Sequence, residues 1–131
     1  MELGEIEIEN MLRIGLGSFP LYEKQHWIQV VVKDESIYIS YGLSDNRIGN
    51  LCGTRFDLEI LGEQCNINSY NIQEGKRRRG YGRELYNLLE MFCKKKFNCR
   101  KFVTSASGQG FYFWPKMGFY FKEGIEVEKV V

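Results

Sequence analysis

Hydrophobic and polar positions alternate along several short runs of the chain, which is the pattern of strands that bury one face. Trp27–Val32 and Ile37–Tyr41 are rich in β-branched and aromatic residues, and the four polar residues between them predict a β-hairpin. Phe56–Leu61 alternates strictly and predicts a half-buried strand. A looser alternation over residues 2–16 predicts another strand at the start of the chain. We therefore expect the first half of the chain to form a sheet.

The second half alternates between strand and helix patterns. Cys65–Ile72 has the spacing of a strand but carries more polar side chains than a strand that only fills a core. Either a ligand uses these polar groups or the run is an exposed hairpin arm. Apolar residues then recur at helical spacing from Leu85 to Phe92 and predict an amphipathic helix that ends near Phe97. Because Lys101–Ser105 predicts a strand after it, these elements form a strand–loop–helix–strand unit.

The last part of the chain predicts a short helix and a closing hairpin. Ser107 is expected to be the N-cap of the helix. Pro115 prevents a long helix, so we expect two turns that end before Gly118. Phe119–Lys122 and Ile125–Val130 then predict the two strands of the hairpin.

Length and charge fit one globular domain. The chain has 131 residues, a hydrophobic content of 44% and a formal net charge of +1. This size suits a single domain over residues 1–131, and the near-neutral charge gives no general attraction to nucleic acid or membranes. No apolar run reaches the ~18–20 residues of a membrane span, and no basic and apolar leader opens the chain. We therefore expect a cytoplasmic protein with no membrane partner.

Cysteine and histidine offer no metal-binding pattern. The four cysteines, Cys52, Cys65, Cys93 and Cys99, show no Cys-x-x-Cys spacing, and His26 is the single histidine. We expect no metal site, and we expect free thiols that pack as small apolar residues in a reducing compartment.

The stretch Lys76–Arg83, here called the basic loop, runs directly into the predicted long helix. Cations at a helix N-terminus cost roughly 0.3–1 kcal/mol each when no anion is bound there. An anion held by the exposed amide groups and the arginines removes this cost. Gly80 and Gly82 allow a positive φ and a close approach of the backbone to a phosphate. The loop therefore predicts an anion site, and a solvated basic turn is the alternative.

Two motifs follow one another in the second half of the chain. The first is the pattern Arg77-x-x-Gly80-x-Gly82 between a strand and a helix. The second follows about thirty residues later and reads Phe113-Trp114-x-Lys116-Met117-Gly118-Phe119. In this order the two motifs resemble the GNAT superfamily of acetyl-CoA-dependent N-acetyltransferases. The resemblance covers roughly residues 56–122 and implies an α/β (α+β) fold with a mixed, mostly antiparallel central sheet. It also implies a long helix after the phosphate-binding loop and a short helix before the closing hairpin.

The resemblance further implies acetyl-CoA as the cofactor and a set of residues that bind it. Its pyrophosphate is expected at the loop residues Arg77, Arg78, Arg79, Gly80, Tyr81, Gly82 and Arg83. Its pantetheine and acetyl groups are expected beside the strand edge at Tyr70, Asn71 and Ile72. Ser107 falls where the family often has an asparagine near the pantetheine arm.

The reaction implied by the resemblance is direct attack of a neutral amine on the thioester, without a covalent enzyme intermediate. A backbone N–H group from the Asn71–Ile72 region stabilises the developing oxyanion, a contact worth on the order of 10²–10³ in rate. The amine also loses a proton, and the departing thiolate gains one.

Two positions depart from the family pattern for these proton transfers. Asn66 stands where the family often has a glutamate base, and Trp114 stands where it often has a tyrosine acid. Tyr112 is the substitute acid that we expect to be catalytic, and Glu59 or Glu63 are candidates to relay protons through water. A coenzyme A-binding regulator without catalysis is therefore one alternative function.

The acceptor side departs from the family pattern as well. Family members typically place two helices between the first two strands, and Ser18–His26, which we interpret as a loop, is too short for both. The site is then either open, which suits a protein lysine or N-terminus, or completed by a second subunit in a homodimer. Another alternative function is a small nucleic-acid-binding module that uses the basic loop, which the near-neutral net charge disfavours.

Overall fold

Seven strands form one sheet in the residues that the computed structural model describes, which are 4–17, 26–43, 54–71 and 80–131. The strands are β1 His26–Lys33, β2 Ser36–Leu43, β3 Thr54–Leu61, β4 Gln64–Asn71, β5 Lys101–Ser105, β6 Tyr120–Glu123 and β7 Glu126–Val130. The helices within these ranges are α1 Glu5–Leu16, α2 Tyr81–Phe97 and α3 Gly110–Lys116. The strand order in the sheet is β1-β2-β3-β4-β5-β7-β6.

The sheet is mixed and mostly antiparallel, as the resemblance to the family implied. β4 and β5 are parallel neighbours, and α2 connects them, while the other neighbouring strands are antiparallel. The β4–β5 pairing runs from Gln64 opposite Lys101 to Ile67 opposite Thr104. Because β4 continues to Asn71, its last residues extend past the paired region.

The prediction of a strand over residues 2–16 is wrong, because most of this segment forms α1. Ile8, Leu12 and Leu16 recur every fourth residue and are buried as one helical stripe. Ile6 and Ile14, which made the pattern look like a strand, are 74% and 82% exposed. The segment 18–25, which we expected to form a loop, lies outside the described residues.

The other strand predictions and that of the long helix agree with the structure. β1 and β2 form the expected hairpin, and the side chains of Phe56, Leu58 and Ile60 on β3 alternate into the core. α2 buries Leu85 and Leu89 in the core and packs beside α1. β6 and β7 form the closing hairpin. The fold is a single α/β domain whose core lies between the sheet and these helices.

The short helix α3 starts later than predicted. Its first residue is Gly110 and its N-cap is Gln109, so Ser107 is not the cap. A turn precedes the helix, in which the carbonyl of Ser107 accepts the N–H of Gly110 at 2.8 Å and Gly108 has a φ of 53°. This positive φ cannot continue a helix, which moves the start of α3 toward Gly110.

Two further observations concern the expected free thiols and the question of a membrane-spanning helix. Cys65, Cys93 and Cys99 are free and buried, as expected, and Cys52 lies outside the described residues. Within the described ranges, no helix combines the length with the apolar character that a membrane crossing requires.

Candidate functional site

A cleft of about 990 Å³ opens where the end of β4 faces the end of β5, the start of α2 and the helix α3. Both polar and aromatic side chains line it. The described residues that line it are Asn68, Ser69, Tyr70, Asn71, Gly80, Gly82, Arg83, Thr104, Ser105, Ser107, Gln109, Gly110, Tyr112, Phe113, Trp114, Lys116 and Met117. A cleft at the carboxyl ends of two parallel strands is a common ligand site in α/β proteins.

The divergence of β4 from β5 creates the cleft. At the last paired position, the hydroxyl of Thr104 donates to the carbonyl of Ile67 at 2.8 Å. Beyond this point the described part of β5 no longer pairs with β4, so the β5-facing edge of β4 borders the cleft. An extended, amide-containing ligand can hydrogen-bond to such a strand edge in the way that an added strand does.

The N-terminus of α2 forms another wall. Its cap residue Gly80 has a φ of 79°, and its carbonyl accepts the N–H of Glu84 at 3.0 Å. Among the described residues, no atom other than those of its chain neighbours lies within 4 Å of the position that a Cβ on Gly80 would occupy, so no described side chain fills the space beside it. The first amide groups of a helix lack partners inside the helix and carry partial positive charge. With Arg83 exposed in the same turn, this end of α2 can hold an anion.

Tyr70 connects β4 with both helices of the site. Its hydroxyl donates to the carbonyl of Gly82 at 2.5 Å in the first turn of α2. Its ring stacks on Phe113 at 5.6 Å and meets the ring of Trp114 edge-on at 5.3 Å. Burial raises the pKa of Tyr70 well above its usual range, so the phenol stays protonated. Tyr70 therefore fixes the geometry of the cleft rather than exchanging protons.

Trp114 lies deep in the cleft and is only 4% exposed. Its ring meets Tyr86 of α2 edge-on at 5.7 Å and lies 4.9 Å from Phe119. A Cβ on Gly110 would stand 3.2 Å from the indole, so a larger residue there would require the indole to shift by a few tenths of an ångström. Trp114 has no hydroxyl group and its role in the cleft is packing. Tyr112 also lines the cleft, and its side chain is 71% exposed.

The structure places most of the described predicted site residues around this one cleft. The lining residues among them are Tyr70, Asn71, Gly80, Gly82, Arg83, Ser107 and Tyr112. Tyr81 starts α2, but its side chain packs against the core. Ile72, Arg77, Arg78 and Arg79 lie outside the described residues.

The two glutamates considered as proton relays do not line the cleft. Glu63 precedes Gln64, the first residue of β4, and therefore lies at the opposite end of this strand from Asn71. Glu59 accepts a hydrogen bond from Ser36 at 3.5 Å on β2. Asn66 accepts one from Gln64 at 2.7 Å and is also absent from the lining residues.

A polar cluster beside the cleft escaped the sequence analysis. Asp57 on β3 accepts hydrogen bonds from Arg55 at 2.9 Å, from Ser40 at 2.6 Å and from Ser69. Burial opposes ionisation of Asp57, but the hydrogen bonds from these three residues outweigh it and lower its pKa. Ser69 also lines the cleft. The sequence signal for this cluster was the excess of polar side chains in β4.

The chain matches a known family and several solved structures. Residues 6–119 match the model of the acetyltransferase (GNAT) family. No curated protein matches the chain by sequence. The PaiA N-acetyltransferase of Thermoplasma acidophilum, in complex with coenzyme A, has a TM-score of 0.54 at 19% identity. That alignment covers 72% of this chain and 61% of PaiA, so the chain spans less than two thirds of that relative.

Two further structures match over the whole chain. An acetyltransferase from Bacillus cereus ATCC 14579 has a TM-score of 0.59 at 20% identity, and the alignment covers 100% of this chain and 96% of that one. YhhK of E. coli, bound to coenzyme A, has a TM-score of 0.54 at 20% identity, with 100% and 94% covered. At these identities the structures establish a shared fold.

Proposed function

Since the chain belongs to the acetyltransferase (GNAT) family, we propose that it transfers the acetyl group of acetyl-CoA to a primary amine by direct attack of the amine on the thioester. The observation that carries this proposal is the cleft in which the start of α2 meets the diverging ends of β4 and β5. One end of the cleft suits an anion, and the strand edge suits an amide-containing arm.

The pyrophosphate of the coenzyme is held at the start of α2 in this proposal. Backbone amide groups of Gly80, Tyr81, Gly82 and Arg83 surround it, and Arg77, Arg78 and Arg79 neutralise it. The left-handed conformation of Gly80 and the open space beside it support this assignment, because a side chain there would fill the cradle. Two of the structural relatives hold coenzyme A.

The reacting end lies along β4. Tyr70, Asn71 and Ile72 border the pantetheine and acetyl groups, and Ser107 borders the arm from the opposite side of the cleft. When bound, acetyl-CoA supplies the acetyl group as a thioester and leaves as the free thiol. A backbone N–H group of the Asn71–Ile72 region stabilises the negative charge that develops on the carbonyl oxygen. The exposed edge of β4 beyond Ile67 supports this placement.

Tyr112 is the proton donor for the departing thiolate in this proposal. It lines the cleft from α3, and Trp114, at the position where the family often has a tyrosine, is buried in packing. We expect Tyr112→Phe to lower the turnover number by about 10²-fold, the size of a general acid contribution, with little change in coenzyme affinity. Tyr120→Phe is the control, because the hydroxyl of Tyr120 binds Glu128 outside the cleft. Equal turnover in the two variants would remove Tyr112 from the reaction.

The acceptor class that we propose is an exposed amine of a protein, either a lysine or the N-terminus. In the structure, β1 and β2 are joined by the two-residue turn Asp34–Glu35, where family members typically place two helices. No helix is inserted at this turn, and the described helix nearest to it, α1, precedes β1 and packs on it. A connection without inserted helices suits a bulky acceptor. A second subunit that completes this side is the alternative, and the mass of the protein in solution distinguishes the two.

Calorimetric titration with acetyl-CoA tests the proposed function. We expect the wild type to bind and Gly80→Glu/Gly82→Glu to lose binding, because side chains and negative charge then enter the phosphate cradle. Gly62→Glu is a matched control, since Gly62 also has a positive φ of 61° and open space but lies in the turn between β3 and β4. Absence of wild-type binding contradicts the proposal and favours the alternative in which the basic loop binds nucleic acid.

A coenzyme A-binding regulator without catalysis is the second candidate function. Trp114 and Asn66 favour it, because neither can transfer a proton at the positions where the family often does so. Thiol release from acetyl-CoA in the presence of amines separates the two functions. Binding without any release supports the regulator.

A further inference from the structure

The hydroxyl group of Ser69 has only hydrogen-bond acceptor capacity left for a further partner. A serine hydroxyl has one proton to donate and two lone pairs. The proton of Ser69 is donated to Oδ2 of Asp57, while the residue itself lines the cleft. A ligand group beside Ser69 is therefore favoured when it carries an N–H or O–H donor.

Asp57 holds this orientation firmly. Ser40 donates to Oδ1 of the same carboxylate at 2.6 Å, and Arg55 donates to Oδ2 at 2.9 Å and to Oδ1 at 3.2 Å. The guanidinium of Arg55 is itself placed 5.4 Å from the ring centroid of Trp27, at a cation–π distance. A carboxylate bound in this way stays ionised and keeps the Ser69 proton pointed toward it.

A β-bulge in β4 brings Ser69 and Asp57 together as a hydrogen-bonded pair. Leu58 is opposite Ile67, but Asp57 is opposite Ser69, so Asn68 is the extra residue. Regular pairing would place Asn68 opposite Asp57 and would turn Ser69 toward the core, because one residue of shift exchanges the two faces of a strand. The bulge therefore brings Ser69 to Asp57 at the strand segment that ends in Tyr70 and Asn71. Bulges are frequent beside active sites, where they redirect a side chain.

We propose that Ser69 binds the acceptor: its oxygen accepts a hydrogen bond from an N–H of the primary amine. Asp57 is a positioning residue that acts through Ser69. The amine nitrogen is thereby held next to the edge of β4 at Tyr70 and Asn71, with its lone pair directed away from Ser69. This inference rests on the proposed function, which places the acetyl group at the same edge.

Two serines that share one carboxylate allow a matched test. Ser40 and Ser69 both donate to Asp57, but only Ser69 of the two lines the cleft. We would measure acetyl-CoA binding by calorimetry for the wild type, Ser69→Ala, Ser69→Thr and Ser40→Ala. Thiol release with n-butylamine as the acceptor, varied in concentration at pH 9, then gives kcat and KM for the amine.

We expect Ser69→Ala to lower kcat/KM for n-butylamine about tenfold, mainly through KM, which is the effect of one lost hydrogen bond. Ser69→Thr, which keeps the hydroxyl, and Ser40→Ala are expected to stay within about twofold of the wild type. Coenzyme affinity is expected to be the same in all four proteins.

Equal losses in Ser69→Ala and Ser40→Ala would overturn the inference, because a purely structural role of the cluster predicts this result. Unchanged kcat/KM in Ser69→Ala, in a protein that acetylates n-butylamine, would overturn it as well and would leave the proposed function intact. A wild type that does not bind acetyl-CoA, or that binds it without releasing thiol in the presence of the amine, refutes the proposed function first, so the wild-type measurements tell the two failures apart.

Discussion

The helices α1 and α2 pack side by side on the same face of the sheet, yet their N-termini differ in charge. The first turn of α1 contains Glu5 and Glu7, and Glu5 also accepts the N–H of Val32 at 2.8 Å. Carboxylates at this end match the partial positive charge of the helix. The N-terminus of α1 is therefore stabilised by the chain itself, and it connects the helix to the edge strand β1.

The N-terminus of α2 has the opposite character. It follows Gly80, and its first turn contains Arg83 together with a single acidic residue, Glu84. The sequence places four further cations, Lys76, Arg77, Arg78 and Arg79, directly before Gly80. Such an end gains its full stabilisation only when an anion binds to it. The start of α1 is thus stabilised within the chain, whereas the start of α2 is stabilised by a ligand under the proposed function.

The largest expected effect comes from making the start of α2 resemble that of α1. Arg83→Glu replaces a cation that faces the proposed pyrophosphate by a carboxylate. We expect acetyl-CoA affinity to fall about 10- to 100-fold, since hydrogen bonds to charged groups contribute about 1.5–3 kcal/mol. The free protein is expected to gain about 0.3–1 kcal/mol of stability from the better match to the helix dipole. Calorimetry and thermal unfolding measure these two opposite changes.

Arg100→Glu is the control for this charge reversal. Arg100 is exposed and lies 3.8 Å from Glu63, at the end of the sheet away from the cleft. Its reversal changes the net charge equally and is expected to leave coenzyme affinity unchanged. If both reversals weaken binding to the same extent, long-range charge rather than the start of α2 attracts the coenzyme.

A smaller effect is expected from loosening the start of α2. Tyr70→Phe removes the hydroxyl that donates to the Gly82 carbonyl and keeps the ring. We expect a loss of about 1 kcal/mol of stability and a loss of about threefold in acetyl-CoA affinity. Tyr86→Phe is the matched control. It removes a tyrosine hydroxyl further along α2, which donates to Glu90 at 3.0 Å. Unchanged affinity in Tyr70→Phe would mean that the first turn of α2 is held without Tyr70.

The sequence could predict α2 but not α1, and the reason lies in their apolar patterns. In α2 the helical spacing extends from Leu85 to Phe92 over amphipathic turns, so the period is unambiguous. In α1 the run Ile6 to Glu9 alternates as a strand does, while the helical signal is the four-residue spacing of Ile8, Leu12 and Leu16. Packing against β1 and α2 decides between the two periods, and this information is not local to the segment.

The location of the candidate site could be predicted as far as it follows from the order of strands and helices along the chain. A strand, a glycine-containing loop and a helix bring the end of β4 and the start of α2 together, so Gly80 could be placed from the sequence, and Tyr70 was implied by the resemblance to the family. The partnership of Ser69 and Asp57 could not, because it depends on the bulge at Asn68, which moves Ser69 to the other face of β4. A single extra residue in a strand leaves no clear pattern in the sequence.

The smallest expected effect concerns the N-terminus of α1, which the chain itself stabilises. Glu5→Gln removes a charge from the first turn and weakens the hydrogen bond to the N–H of Val32. We expect a loss of about 0.5–1 kcal/mol of stability, measured by urea unfolding, and unchanged acetyl-CoA affinity. Glu7→Gln shares only the dipole contribution and is expected to cost about 0.3 kcal/mol. A change in coenzyme affinity in Glu5→Gln would show that α1 also shapes the cleft, and the division between a folding helix and a ligand helix would then be wrong.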